Sequence, residues 1–220
     1  MKLKRKGTTA RQRKDALRLM LEARDHEALL AWGRSERHAV RTVFSALFES
    51  DDLLRWRAIE ALGLLAGQES GRDLERVREW LRRLLWNMND ESGGLMWHGA
   101  EAIGEILMNV DRLIGEFVMI LHSFHQEEPF EAGTYRALAR VASLEPERVA
   151  PFVVFLQRGL TDPDPRIRAH AARILALVNA PRADHPAWDD VLADDTPLTV
   201  YDHDTGELRE TTVAAHARGV

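Results

Sequence analysis

The feature that most constrains this chain is an eight-residue pattern that returns at the spacing of a helical hairpin. Trp56-Arg57-Ala58-Ile59-Glu60-Ala61-Leu62-Gly63 reappears 41 residues later as Trp97-His98-Gly99-Ala100-Glu101-Ala102-Ile103-Gly104. Weaker copies start at Tyr135, 38 residues on, and at Ala169, a further 34. A repeat of this length is that of a helix pair, which buries its apolar face only by stacking on its neighbours.

Each copy is followed by a second apolar-periodic segment. Leu74, Val77, Leu81, Leu84, Leu85 and Met88 share one helical face, as do Leu113, Phe117, Ile120, Leu121 and Phe124. Val149, Phe152, Val153, Leu156 and Leu160 are read in the same way. The junctions carry acids that suit helix N-termini, at Asp51-Asp52, Asp90-Glu91, Glu128-Pro129 and Asp162-Pro163-Asp164-Pro165. Residues 15–49 read as a degenerate helix pair at the capping end. In the last forty residues, Leu198–Tyr201 and Leu208–Val213 are β-prone and flank Asp202-His203-Asp204-Thr205-Gly206, which predicts a hairpin.

Composition narrows the chemistry. The 220 residues hold no cysteine, so disulfides, thiolate metal sites and cysteine nucleophiles are excluded. All lysines fall in the first fourteen residues, where three arginines join them without an acid. That segment is +7, and the remaining 23 bases and 35 acids leave the body at −12. An acidic body argues against general nucleic-acid binding, except through the basic tail. No apolar run is long enough for a membrane span or a secretory signal, so the expected location is cytoplasmic, with no membrane partner.

Asp162-Pro163-Asp164-Pro165-Arg166-Ile167-Arg168-Ala169-His170-Ala171-Ala172-Arg173 resembles the HEAT-like repeat signature of phycobilin lyases, and Leu54–Gly63 resembles it equally. The resemblance covers about residues 15–180. It implies an all-α, right-handed α-solenoid of about four to five HEAT-like helix pairs, of the armadillo-like kind. Segment Trp86–Ile106 is similar to small bacterial HEAT-repeat proteins to which no reaction is attached. The organisation expected is a basic flexible tail (1–14), a repeat domain (15–180) and a C-terminal extension with a hairpin (181–220).

Stacking lines up equivalent positions. The first holds Trp56, Trp97, Tyr135 and Ala169; the second Arg57, His98, Arg136 and His170; the fifth Glu60, Glu101, Ala139 and Arg173. These lie off the apolar stripe at Leu54, Ala58, Ala61 and Leu62. A ladder of aromatics and cations suits an acidic peptide or other anionic group, because Arg and His hold carboxylate or phosphate beside aromatic contact area. The aromatics equally suit a structural seal between repeats.

The segment from Trp86 through Asn89, Asp90 and Glu91 to Trp97 and His98 is the least generic stretch. Its Gly93-Gly94 could admit a ligand to a helix N-terminus or simply form a turn. With Glu128, Glu131, Tyr135 and Arg136 at the next junction, it forms the expected binding site. The reading is a non-enzymatic interaction or scaffold module with a protein partner and no cofactor. The alternatives are an enzyme or small-ligand-binding protein at the 86–98 and 127–136 junctions, and a nucleic-acid-binding HEAT-like protein.

Catalytic signatures are lacking: GxGxxG, GxxxxGK[ST], HExxH and GxSxG do not occur. HEAT-like di-iron hydroxylases place His-Glu pairs at the motif positions, which here are Trp56-Arg57, Trp97-His98, Tyr135-Arg136 and Ala169-His170. His122 and His125, one helical turn apart, are weak metal candidates. Asp202–Gly206 is explained better by a hairpin turn than by a calcium loop.

Overall fold

The computed structural model describes residues 8–89 and 96–219. It is mostly helical. The helices α1 (Ala10–Ala23), α2 (His26–Ser35) and α3 (Ala39–Ala46) precede the long α4 (Asp52–Ser70). Then come α5 (Leu74–Met88), α6 (Gly99–Asn109), α7 (Ile114–Ser123) and α8 (Glu131–Leu144). The short α9 (Pro146–Val149) and α10 (Val153–Leu156) lead to α11 (Pro165–Leu177) and α12 (Ala187–Leu192). The chain then runs through strands β1 (Pro197–Asp202) and β2 (Glu207–Thr212) to α13 (Val213–Arg218).

The four copies of the pattern fall on α4, α6, α8 and α11, which pack on one another in that order. α5 packs against α4 and α6, and α7 against α6 and α8, as an outer layer. The recurring glycine sets how closely the inner helices approach. A methyl group on Gly63 would come within 2.7 Å of the Glu105 carbonyl oxygen, and one on Gly104 within 2.7 Å of Ala137 Cβ. The core fills the space between layers, with Ile59, Leu62, Leu81, Ile103, Leu107, Leu121 and Leu138 fully buried.

Helix starts follow the acids at the junctions. Asp51 and Asp164 accept hydrogen bonds from the backbone N–H of Leu54 and Arg166, and Asp73 does the same for Arg76. α1 begins inside the basic stretch expected to be a tail. Thr9 and Gln12 form a reciprocal capping box, so Arg11, Arg13 and Lys14 stand on a helix. Residues 15–49 hold most of α1 together with α2 and α3, three helices rather than a pair.

The segment around Pro151 also departs from expectation. Val149 ends α9, Phe152 sits in a 3₁₀ turn, and Leu160 lies in a second one beyond α10. Pro151 has no N–H and clashes with the preceding turn, so one continuous helix does not form. Val149, Phe152, Leu156 and Leu160 are buried nonetheless, whereas Val153 is half-buried. On α7, Ile120 turns outward while Phe117 and Leu121 face the core.

The hairpin forms where expected, paired antiparallel from Pro197 opposite Thr212 to Asp202 opposite Glu207. Asp202 Oδ1 accepts from the N–H groups of Asp204 and Thr205, and Gly206 takes φ 72° to close the turn. Val213 begins α13 instead of ending the strand. The hairpin lies back across the inner helices instead of extending beyond the last one. Among the described residues no helix is long and apolar enough to cross a membrane.

Candidate functional site

The inner faces of α4, α6, α8 and α11 carry charge at positions where a helix stack would ordinarily meet water. Arg57, Glu60, Glu101, Glu105, Arg136 and His170 are all buried, and the hairpin contacts Arg57, Glu60, Glu105 and Arg136 directly. Arg57 donates to the carbonyls of Leu21 and Glu22 at the C-terminal end of α1 and to the Gly206 carbonyl in the hairpin turn. Its Nη2 also stands 2.6 Å from the Glu207 carboxylate. One guanidinium thus joins α1, α4 and the hairpin.

Glu60 is the complementary anchor. It accepts from Arg24 at 2.7 Å and from the Tyr201 hydroxyl at 2.7 Å, with His26 Nε2 3.4 Å away. Burial pushes its carboxyl pKa upward, but the hydrogen bonds from Arg24 and Tyr201 bring the net value below the usual range. Arg24 in turn donates to the backbone carbonyls of His203 and Asp204. The Tyr201 ring stacks on Trp56 with centroids 5.8 Å apart, and the Arg136 guanidinium lies over the Trp56 ring, 4.1 Å from its centroid.

Beside this clasp lies a cleft of about 600 Å³, floored by the N-terminal halves of α4, α6, α8 and α11 and walled by β1. Trp56, His98, Glu101, Arg136, Arg166 and His170 carry its chemistry. Glu101 is 9% exposed; its Oε1 lies 3.1 Å from His98 Nδ1, and its Oε2 has no hydrogen-bond partner. A methyl group on Gly133 would collide with that carboxylate, so glycine there is what lets Glu101 sit beside α8. Arg136 makes no ion pair among the described residues; it donates at 3.3 Å to the Tyr201 carbonyl and lies 3.2 Å from His203 Nε2. Burial lowers the pKa of this guanidinium, while Glu105 and Glu101 work against that shift. The cleft therefore holds a cation and a carboxylate that are not satisfied by each other.

No family model matches the sequence, and no curated protein matches it either. Among solved structures, the chain is similar to an engineered protein of the Northeast Structural Genomics Consortium. The two are 21% identical over 97% of this chain and 90% of that one, with a TM-score of 0.56. A second engineered protein from the same consortium is 21% identical, over 84% of this chain and 48% of its own, with a TM-score of 0.49. The first likeness is one of fold.

The structure brings together only part of the residue set expected from sequence. Trp56, His98, Glu101, Arg136 and His170 line the cleft. Arg57 faces the hairpin turn and α1. Tyr135 is buried, its hydroxyl 3.4 Å from the Leu156 carbonyl and its pKa pushed up to about 12 by burial. The aromatic ladder is thus not continuous: Trp97 precedes α6 and is 65% exposed, and Trp86 on α5 is 76% exposed. Asn89 and Glu128 are exposed outside the cleft, while Glu131 is half-buried among acids, its pKa raised by burial and by Asp162. Asp90 and Glu91 lie outside the described residues.

His122 and His125 stack with ring centroids 4.4 Å apart, against Phe152. Burial, reinforced by His125, lowers His122 to about 4. Among the described residues no group of three potential ligands gathers anywhere. Sequence reasoning overlooked Arg55, Arg166 and the β1 wall from Pro197 to Val200. Arg55 and Arg166 are legible as the basic residues just inside Asp-capped helix starts; the wall has no local signal.

Proposed function

We propose that this protein is a HEAT-like stack of helix pairs, a right-handed α-solenoid, that works as a binding module. Its cleft receives the acidic side chain or terminal carboxylate of a protein partner. The observation that carries this reading is Arg136, buried against Trp56 at the cleft wall without an ion pair among the described residues. A guanidinium so placed is a poor neighbour for apolar groups and a good one for an entering carboxylate. The stacking order α4, α6, α8, α11, which follows the four sequence copies, supports the solenoid part. The exposed Trp97 beside His98 supports a protein partner, since exposed tryptophans serve as anchors at interfaces.

The test is fluorescence anisotropy with short peptides rich in Asp and Glu, compared with Asn and Gln isosteres. Saturable binding of the acidic set is expected. Trp56→Leu and Arg166→Gln should each weaken it about tenfold or more. If folded protein binds acidic and neutral peptides alike, or neither, the reading fails. A second reading is favoured by one specific feature. The unpartnered Glu101 Oε2, together with a cleft of about 600 Å³, suits a small ligand bearing both an ammonium and an anionic group.

A further inference from the structure

On the other side of Arg136 lies a second cavity of about 180 Å³, between α8, α11, α13 and the hairpin turn. Its polar lining is almost wholly basic. Arg136 and Arg140 come from α8, His170 and Arg173 from α11, His203 from the turn and His216 from α13. Two acids abut its lining, and both are engaged. Glu60 accepts from Arg24 and from the Tyr201 hydroxyl. The second is Glu105 of α6. It accepts from Arg140 at 2.8 and 3.1 Å and lies 3.2 Å from His203 Nε2. Arg136 and Arg173 have no carboxylate partner among the described residues, so two guanidinium charges look onto one small space without compensation.

The imidazoles report the same imbalance. His170 and His216 meet at 3.1 Å, Nδ1 to Nε2, so one donates to the other and the two cannot both be charged. Burial, with Arg136 and Arg173 adding to it, lowers His216 to about 4. Burial lowers His203 to about 3, with Arg140 and Arg136 adding to the shift. Burial is the main cause of both shifts, and the surrounding guanidinium charges add to it.

We propose that this cavity is a binding site for a tetrahedral dianion, phosphate or the terminal phosphate of a small monoester. Donors reach it from α8, α11, α13 and the turn, that is, from several directions. That arrangement matches an anion with four oxygens better than a planar carboxylate, which one guanidinium fork would satisfy. Two uncompensated charges match a dianion. The volume admits a phosphoryl group. The site adjoins the peptide cleft and shares Arg136 and His170 with it, whereas Arg173 and His216 line this cavity and not the cleft.

The experiment is isothermal titration and thermal unfolding of the full chain with inorganic phosphate, glycerol phosphate and sulfate, against chloride at matched ionic strength. Saturable 1:1 phosphate binding and a raised Tm are expected, with no such effect of chloride. Arg173→Gln and His216→Gln should each weaken phosphate about tenfold or more, whereas Arg166→Gln in the cleft should leave it unchanged. Arg173 is half-buried at the rim, so its replacement tests binding rather than folding, and circular dichroism verifies this. Glycerol phosphate binding as tightly as phosphate assigns a monoester; binding much more weakly assigns the free ion. A folded protein that does not saturate below about 10 mM phosphate, or that binds equally well in both variants, overturns the site.

Discussion

The outer and inner faces of the helix layers use the same residues to opposite ends. On the outer layer, Arg78 pairs with Glu75 of its own helix and Glu116 of α7, and Arg82 pairs with Glu75 and Glu79. Arg78 is half-buried, but Arg82 and all the carboxylates are exposed, and pairs that reach water are screened and add little. On the inner face Arg57, Glu60 and Glu105 are buried and paired, and they meet the hairpin through Glu207, Tyr201 and His203. There each partner is required, because a buried charge left alone loses its solvation without recompense. The difference is that outer ion pairs decorate helices already held by the core, whereas inner ones decide where the C-terminal segment lies.

That contrast can be broken experimentally. The largest effect is expected from Arg57→Ala, which strips three carbonyls and Glu207 of their donor. Urea unfolding should show a loss of about 3–5 kcal/mol. If the loss matches that of an outer arginine, the inner face is not the anchor described.

Acid comes next. His122, His203 and His216 fall to about 4, 3 and 4 in the folded chain from 6.5, and His170 lies well below 6.5. The unfolded chain therefore binds protons first as pH drops. Stability is intact above about 6.5 and declines from there toward pH 4. Tm should drop by roughly 10 °C or more between pH 7 and pH 5. A flat Tm over that range would show that these rings are solvated.

Smaller still is Tyr201→Phe, which removes the hydroxyl bond to Glu60 but keeps the ring on Trp56. A loss of about 1–2 kcal/mol is expected, concentrated in hydrogen exchange of β1 and β2. The smallest is Arg78→Ala on the outer layer, whose unfolding midpoint should match the parent protein within measurement error. A clear drop there would erase the distinction between the two faces.

The helix layout was legible because apolar periodicity and acidic caps are local. Asp51 and Asp164 mark two of the inner helices directly. The fate of Trp97 was not legible for the same reason. Its pattern aligns with Trp56, yet α4 starts at Asp52, ahead of Trp56, while α6 starts at Gly99, behind Trp97. Asp51 caps the one helix, whereas His98 makes no side-chain cap for the other, so the same motif enters its helix later. The covering of the inner face had no local trace at all. Arg57 and Glu60 read as positions of a ligand-binding ladder, and their partners Gly206, Glu207 and Tyr201 stand far along the chain. The hairpin itself was visible in its β-prone strands and Asp-Gly turn, but not its seat.

That seat has a consequence for how the molecule is made. Arg24 and Arg57 bind groups at positions 203, 204, 206 and 207, so the beginning of the chain is completed by its end. During synthesis the helices close through short-range contacts as they emerge, but two arginines and Glu60 stay hydrated until the final strands leave the ribosome. A stalled or prematurely stopped chain would therefore expose an ionic, half-dressed surface despite having nearly all its core, which is a form that quality-control proteases could tell from the finished protein.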